Sequence, residues 1–326
     1  MLQLEDGFSR HYYYLRLSVT DVCNFRCSYC LPDGYRPLEK KSFLFVDEIR
    51  RIALAFAAMG GTKIRLTGGE PSLRKDLTPI IETIATTPSL KKVAMTTNGY
   101  RLKARAKEWF TAGLTSLNIS IDSLDPRQFL QITGENKLLD IISGIDAALE
   151  AGFESIKINA VLLKGLNDRQ LDTFLAWIAD KPIELRFIEL MQTGEMDARF
   201  ARYHVRGDYI KQRLLQYGWQ LQSRNQDDGP AQVFIHPSSM GKVGLILPYS
   251  KDFCASCNRL RISSVGKLHL CLFGEDGVEL RDLLASDDQQ LALQQRIANI
   301  LMDKQAHHRL HEGMVGATPH LASIGG

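Results

Sequence analysis

LRLSVTDVCNFRCSYC, residues 15–30, runs a short alternating strand straight into three cysteines spaced C-x3-C-x2-C: Cys23, Cys27 and Cys30. A structural zinc ion or a fully protein-ligated iron–sulfur cube takes four protein ligands, commonly from two CxxC pairs or from a CxxC with two histidines. Here a fourth is missing, because His11 lies upstream and the next histidine is His204. A [4Fe-4S] cube held by these three thiolates would keep one iron open to a small molecule.

The remaining cysteines repeat the theme. All six fall into two groups of three, the second being Cys254, Cys257 and Cys271. Disulfides between residues two or three apart are geometrically awkward, and a long chain without a secretion signal is a poor setting for them. Two soft-metal sites in a reducing compartment account for the spacing better. With 326 residues and 44% apolar composition, the chain can bury a large core. Its 40 basic and 37 acidic residues leave +3, too little for a nucleic-acid coat. MLQLEDGFSRHYYY has no apolar signal region, and no segment approaches the roughly 18 continuous apolar residues of a membrane span. A cytoplasmic protein without nucleic-acid or membrane partners is the expectation.

Outward from the first strand, β-branched runs alternate with helical patterns. Strands are expected at about 12–19, 62–67, 91–96, 115–121, 155–162 and 183–189, and helices at about 46–59, 76–86, 101–112, 137–151 and 168–179. This is α/β repetition, implying an incomplete (βα)6 TIM-like barrel, short of the eight strands that close one. In the first helix Val46, Ile49, Ile52, Ala53 and Phe56 share a face, Asp47 and Glu48 favour its N-terminus, and Gly60 and Gly61 stop it. After about residue 190 the rhythm ends. A helix at 207–217, short antiparallel strands near 219–224, 232–236 and 243–247, and a helix at 287–304 predict a smaller α+β domain capping the open side. The expected division is 1–190 and 191–326.

The barrel strands alternate in polarity, whereas strands covered on both faces read as continuous apolar runs. Leu15, Leu17 and Val19 oppose Arg16, Ser18 and Thr20; Ile64 and Leu66 oppose Arg65 and Thr67; Ile156 and Ile158 oppose Lys157 and Asn159. If the apolar set meets the helices, Arg16, Arg65 and Lys157 line the lumen, and three buried cations need an anion. The strand ends carry GGEP (68–71), TTNG (96–99), SIDS (120–123) and IELM (188–191), where such folds bind ligands. Beside the second triad, Arg259 and Arg261 fall on one side of a strand. His269 leaves a Cys3His zinc site open as the alternative reading of that triad.

The first cysteine motif followed by GGEP resembles the radical S-adenosylmethionine (radical SAM) family. With TTNG, FCASCNRLR and the terminal Gly325-Gly326, the whole chain resembles the GTP 3′,8-cyclases of molybdenum cofactor biosynthesis, the MoaA family. The resemblance implies a radical SAM barrel and two [4Fe-4S] clusters, on Cys23, Cys27 and Cys30 and on Cys254, Cys257 and Cys271. It further implies SAM contacts at Tyr29, Gly69, Ser120 and Met191, with Glu70 receiving the methionyl amine. GTP contacts are implied at Arg16, Arg65, Thr96, Lys157, Arg259 and Arg261, and catalytic roles at Arg16, Arg259, Arg261, Gly325 and Gly326. The implied reaction is a lyase reaction: SAM is reductively cleaved, hydrogen leaves C3′ of GTP, and C3′ attacks C8 to give 3′,8-cyclo-7,8-dihydro-GTP. A flavodoxin- or ferredoxin-type reductant, a downstream cyclic pyranopterin monophosphate synthase and a homodimer complete the implied partners. A radical SAM enzyme acting on peptides and a non-enzymatic metal-binding module are the competing classes. The first would not need five cations near one cavity, and the second would have no use for GGEP.

Overall fold

Pairs of strand and helix open the chain. They are β1 (Tyr14–Ser18) and α1 (Val46–Ala58), β2 (Lys63–Thr67) and α2 (Leu77–Ala85), β3 (Lys92–Thr97) and α3 (Leu102–Thr111). Next come β4 (Ser116–Ser120), α4 (Pro126–Thr133), α5 (Leu138–Ala151), β5 (Ser155–Leu162), α6 (Leu171–Ile178) and β6 (Ile183–Glu189). The C-terminal part holds α7 (Asp197–Tyr203), α8 (Asp208–Gln216), β7 (Gln220–Leu221), β8 (Gln232–Ile235) and β9 (Lys242–Ile246). It continues with β10 (Arg259–Ile262), β11 (Lys267–His269), β12 (Val278–Glu279) and α9 (Gln290–Met302). This is a computed structural model, describing residues 2–36, 42–193, 197–223, 229–250, 253–255, 257–274, 276–316, 322 and 324. Among them no helix is long and apolar enough to cross a membrane.

β1 to β6 are parallel neighbours in chain order, as the βα rhythm predicts. Leu15, Leu17, Ile64, Leu66, Leu117, Ile119, Ile156 and Ile158 are all buried in one hydrophobic core. That leaves the opposite, polar face to the lumen. In α1, Ile49, Ile52, Ala53 and Phe56 are buried, Val46 packs beside them, and Gly60 follows at φ +97.

The later strands build no sheet of their own. The order β12-β11-β10-β1-β2-β3-β4-β5-β6-β9-β8-β7 shows them extending both edges of one open sheet. β10 lies parallel to β1 with Arg16 opposite Arg261 and Tyr14 opposite Arg259, and β9 lies parallel to β6. The second cysteine triad thus hangs from a strand that belongs to the barrel wall. α9 returns to pack on α1.

α4 is absent from the sequence expectations because Asp-Pro reads first as a turn. Here Asp125 caps the helix, accepting from the amides of Arg127 and Gln128 at 2.9 Å each, with Pro126 in the first turn.

Leu260 of β10 is buried opposite Leu15. Leu260→Ala should therefore cost about 2–5 kcal/mol of stability, read as a lowered urea midpoint. An unchanged midpoint would detach β10 from the barrel core.

Candidate active site

The first triad sits in the loop that leaves the C-terminal end of β1, and GGEP clamps that loop. The amides of Gly69 and Glu70 donate to the carbonyls of Thr20 and Val22 at 2.9 and 2.8 Å. The approach leaves no room for side chains: a Cβ on Gly68 would lie 2.1 Å from the Thr20 oxygen, and one on Gly69 2.2 Å from the Val22 oxygen. Further along, the amides of Arg26 and Ser28 donate to Thr133 and Ile132 at the end of α4, at 2.9 Å each. A turn then brings the amides of Cys30 and Leu31 to the Cys27 carbonyl at 3.0 Å each.

Burial pushes the Cys23 thiol up to about 11 and Cys27 well above the usual range, and Cys27 feels both other thiols of the triad. Three half-buried sulfurs that resist ionisation on their own fit a soft-metal cluster, which supplies the missing positive charge.

Glu70 departs from its expected role. Fully buried, it accepts from the Ser72 amide (2.9 Å), the Thr97 hydroxyl (2.7 Å) and the Asn98 amide (2.6 Å). Its carboxylate ties GGEP to TTNG, leaving the glycine backbone to face the rim. Tyr29 donates to Asp122 at 2.9 Å, and Asp122 also accepts from the Val161 amide at 2.8 Å. Gly69, Ser120 and Tyr29 thus all lie at the C-terminal rim, while Met191 borders the cavity beneath it.

That cavity, about 450 Å³, joins the lumen to the second triad. Arg16, Arg65, Lys157, Arg259 and Arg261 line it, and so do Cys254, Cys257 and Cys271. Thr96 sits behind Arg65, accepting from it at 3.4 Å. Sequence reasoning missed four further lining residues: Tyr14, Lys63, Arg186 and Lys304. Lys63 and Arg186 were within reach of the alternation rule, standing two residues before Arg65 and two after Glu184. Lys304, beyond α9, carries no readable signal.

Crowding these charges has electrostatic consequences. Burial holds Arg16 and Arg65 down to about 10 and Lys63 to about 8. The Nε atoms of Arg65, Arg259 and Arg261 are buried without hydrogen-bond partners. Two groups offset the excess. Glu184 pairs with Lys157 at 2.8 Å and Arg186 at 2.5 Å; burial opposes its ionisation, yet those cations hold it down to about 2. Tyr14 accepts from Arg16 and Arg65 and lies under Lys63 and Arg65, whose charges sit 4.8 and 5.6 Å from its ring centre. Against the upward push of burial, Arg65, Arg16, Lys63 and Arg259 bring its phenol down to about 7.

Around the second triad the Cys257 amide donates to the Cys254 carbonyl at 3.0 Å, and the His308 amide donates to the Cys254 sulfur at 3.5 Å. Burial would raise Cys257, but Arg259 and Lys304 bring it down to about 7. Lys304 itself donates to the Leu270 carbonyl. Arg10 spans the loop and the chain beyond α9, donating to the carbonyls of Cys254 (3.4 Å), Ala306 (2.6 Å) and Gln305 (2.7 Å). His269 does not border the cavity: a Cβ on Gly277 would lie 2.5 Å from its Nε2. The histidine beside the triad is His308, whose ring nitrogens meet the Pro248 carbonyl (3.0 Å) and the Leu310 amide (3.4 Å). Gly325 and Gly326 lie outside the described residues.

Residues 17–178 match the family described as Radical SAM superfamily, and residues 183–310 the one described as Molybdenum Cofactor Synthesis C. Streptococcus suis SuiB bound to S-adenosylmethionine shares the fold, with TM-score 0.58 and 15% identity over 80% of this chain and 60% of that one. Fold and cysteine loop define a radical SAM protein, a class that uses SAM with a [4Fe-4S] cluster. A GTP 3′,8-cyclase of Aeromonas hydrophila subsp. hydrophila is 71% identical over 331 residues, covering 100% of this chain and 97% of its own. One of Tolumonas auensis is 66% identical over 99% of this chain and 96% of its own, and one of Vibrio cholerae serotype O1 63% over 99% and 98%. The chain belongs to the GTP 3′,8-cyclase family.

Gly69→Ala should push the loop off its seat, because the clash is with backbone. We expect the variant to keep its helical circular dichroism while losing the iron and sulfide of the first triad. Full metal content in that variant would contradict the clamp.

Proposed function

We infer that the protein is a GTP 3′,8-cyclase, a lyase acting in molybdenum cofactor biosynthesis, and that the cation-lined cavity is where GTP binds. The observation that supports this most is a single one. Cations from β1, β2, β5, β6 and β10 border the same cavity as the second cysteine triad, so a ligand with an anionic end and a metal-ligating end fits it. On this reading Arg16, Lys63, Arg65, Lys157 and Arg186 hold the triphosphate, each charged hydrogen bond contributing about 1.5–3 kcal/mol. Thr96 steadies Arg65. Arg259 and Arg261 flank a second [4Fe-4S] cluster on Cys254, Cys257 and Cys271, whose unligated iron takes the guanine. The closed Cys3His alternative loses its support with His269 facing Gly277. Tyr29, Gly69, Ser120 and Met191 seat SAM at the rim.

When bound, SAM and the cluster of the first triad supply the one-electron chemistry that removes a hydrogen atom from carbon. The chain's own residues position and shield: fixation at two ends holds the nucleoside between the triads and excludes water. A flavodoxin- or ferredoxin-type donor and a downstream cyclic pyranopterin monophosphate synthase are the partners this reading calls for.

Anaerobic reconstitution with iron and sulfide, followed by SAM, dithionite and GTP, tests the assignment through two products. Cys27→Ala should lose both 5′-deoxyadenosine and the cyclised nucleotide, whereas Cys271→Ala should retain SAM cleavage without cyclisation. Undiminished cleavage in the first variant, or cyclised product from the second, would overturn it.

Tyr14 adds a pH signature. Above about 7 its phenolate neutralises cations that the triphosphate needs, so GTP affinity of the wild type should fall, relative to Tyr14→Phe, as pH rises from 6 to 8.5. Parallel curves for the two proteins, measured by equilibrium binding, would remove Tyr14 from the site.

A further inference from the structure

Between the phosphate-binding level and the rim lies a layer that neither ligand assignment uses. On β4, Asn118 stands two residues before Ser120; on β5, Asn159 stands two residues after Lys157. The parallel register sets Asn118 beside Lys157 and Ser120 beside Asn159, so all four belong to the lumen face. Both asparagines border the cavity, and Asn118 is only 4% exposed. The Oδ1 atom of each is buried and makes no hydrogen bond within the protein.

An amide oxygen only accepts, so its partner must be a donor. A buried acceptor left unmet is costly, and two on adjacent strands aimed at one cavity describe a ligand-shaped requirement. Their level says which part of the ligand meets it. Towards the strands' N-terminal ends lie cations suited to phosphate, and towards the C-terminal ends lie Ser120 and the first triad. The base is held across the barrel, where β10 borders β1 on the far side of β2 and β3. What remains beside β4 and β5 is the sugar. Its hydroxyls donate and accept, and so match an amide by either end.

We propose that Asn118 and Asn159 read the ribose: their amides bind its 2′- and 3′-hydroxyls, orient C3′ towards the rim, and make the site select ribonucleotides over deoxyribonucleotides. This rests on the reading of the cavity as the GTP site. The two side chains are positioning and specificity residues that reach the substrate directly. Adjacent acceptors on neighbouring strands suit neighbouring hydroxyls, which a sugar lacking either would leave half-met.

The test is equilibrium binding of GTP, 2′-deoxyGTP and 3′-deoxyGTP to the reconstituted holoenzyme without reductant. Asn118→Ala, Asn159→Ala and Lys157→Ala are compared with the wild type. The wild type should prefer GTP over each deoxynucleotide by about three- to tenfold, one neutral hydrogen bond's worth. Each asparagine variant should bring the ratio for one hydroxyl close to one. Lys157→Ala should weaken all three nucleotides by a common factor and leave the ratios alone. Because a ratio of affinities does not depend on the folded fraction, a partly unfolded variant still reports. Equal wild-type affinities for the three nucleotides, or wild-type ratios in both asparagine variants, would overturn the inference while leaving the GTP site standing. A wild type that binds none of them would overturn both.

Discussion

Cations of like charge forced together in a low-dielectric lumen are the constraint on which this molecule turns. The register of parallel strands puts Arg16 beside Arg65 and Arg261, and Tyr14 beside Lys63 and Arg259. No rearrangement of rotamers removes that adjacency, because it is fixed by backbone pairing. Burial works against every one of these charges, and with only Glu184 and Tyr14 as internal counter-groups the lumen remains electropositive. A polyanion satisfies it, since it meets several cations at once and replaces the repulsion between them with charge-assisted hydrogen bonds. The barrel is thus built around a demand that the protein alone does not meet.

The remaining architecture serves to bring two metal-binding loops to that lumen. Gly68 and Gly69 let the second strand's exit press on the first cysteine loop at distances only glycine permits. At the other edge, β10 joins the barrel wall and carries the second triad with it, and Arg10 ties that triad's loop to the chain beyond α9. A chain that looks divisible into barrel and cap is in this sense a single sheet with the cap's strands sewn to both sides.

Much of this was legible in residue order. Alternation in LRLSV, KIRLT and SIKIN marked both the buried faces and three of the lumen cations, because a period of two is a local property. The cysteine spacings and glycine pairs were local too. Partnerships across the sheet were not. Nothing in residues 259–262 announces a parallel pairing with residues more than two hundred positions earlier, and Lys304 reaches the second triad only through the return of α9. Glu70 and His269 show the complementary failure: each residue type suited a ligand role, but hydrogen bonds committed the carboxylate to TTNG, and packing against Gly277 turned the imidazole elsewhere.

The central claim is that the lumen cations bind the phosphates of a nucleotide whose base reaches the second triad. Calorimetric titration of the anaerobic, reconstituted protein with GTP, GDP, GMP and guanosine at constant ionic strength tests it most directly. The account predicts that affinity falls at each loss of a phosphate, and equal affinities for GTP and guanosine would contradict it.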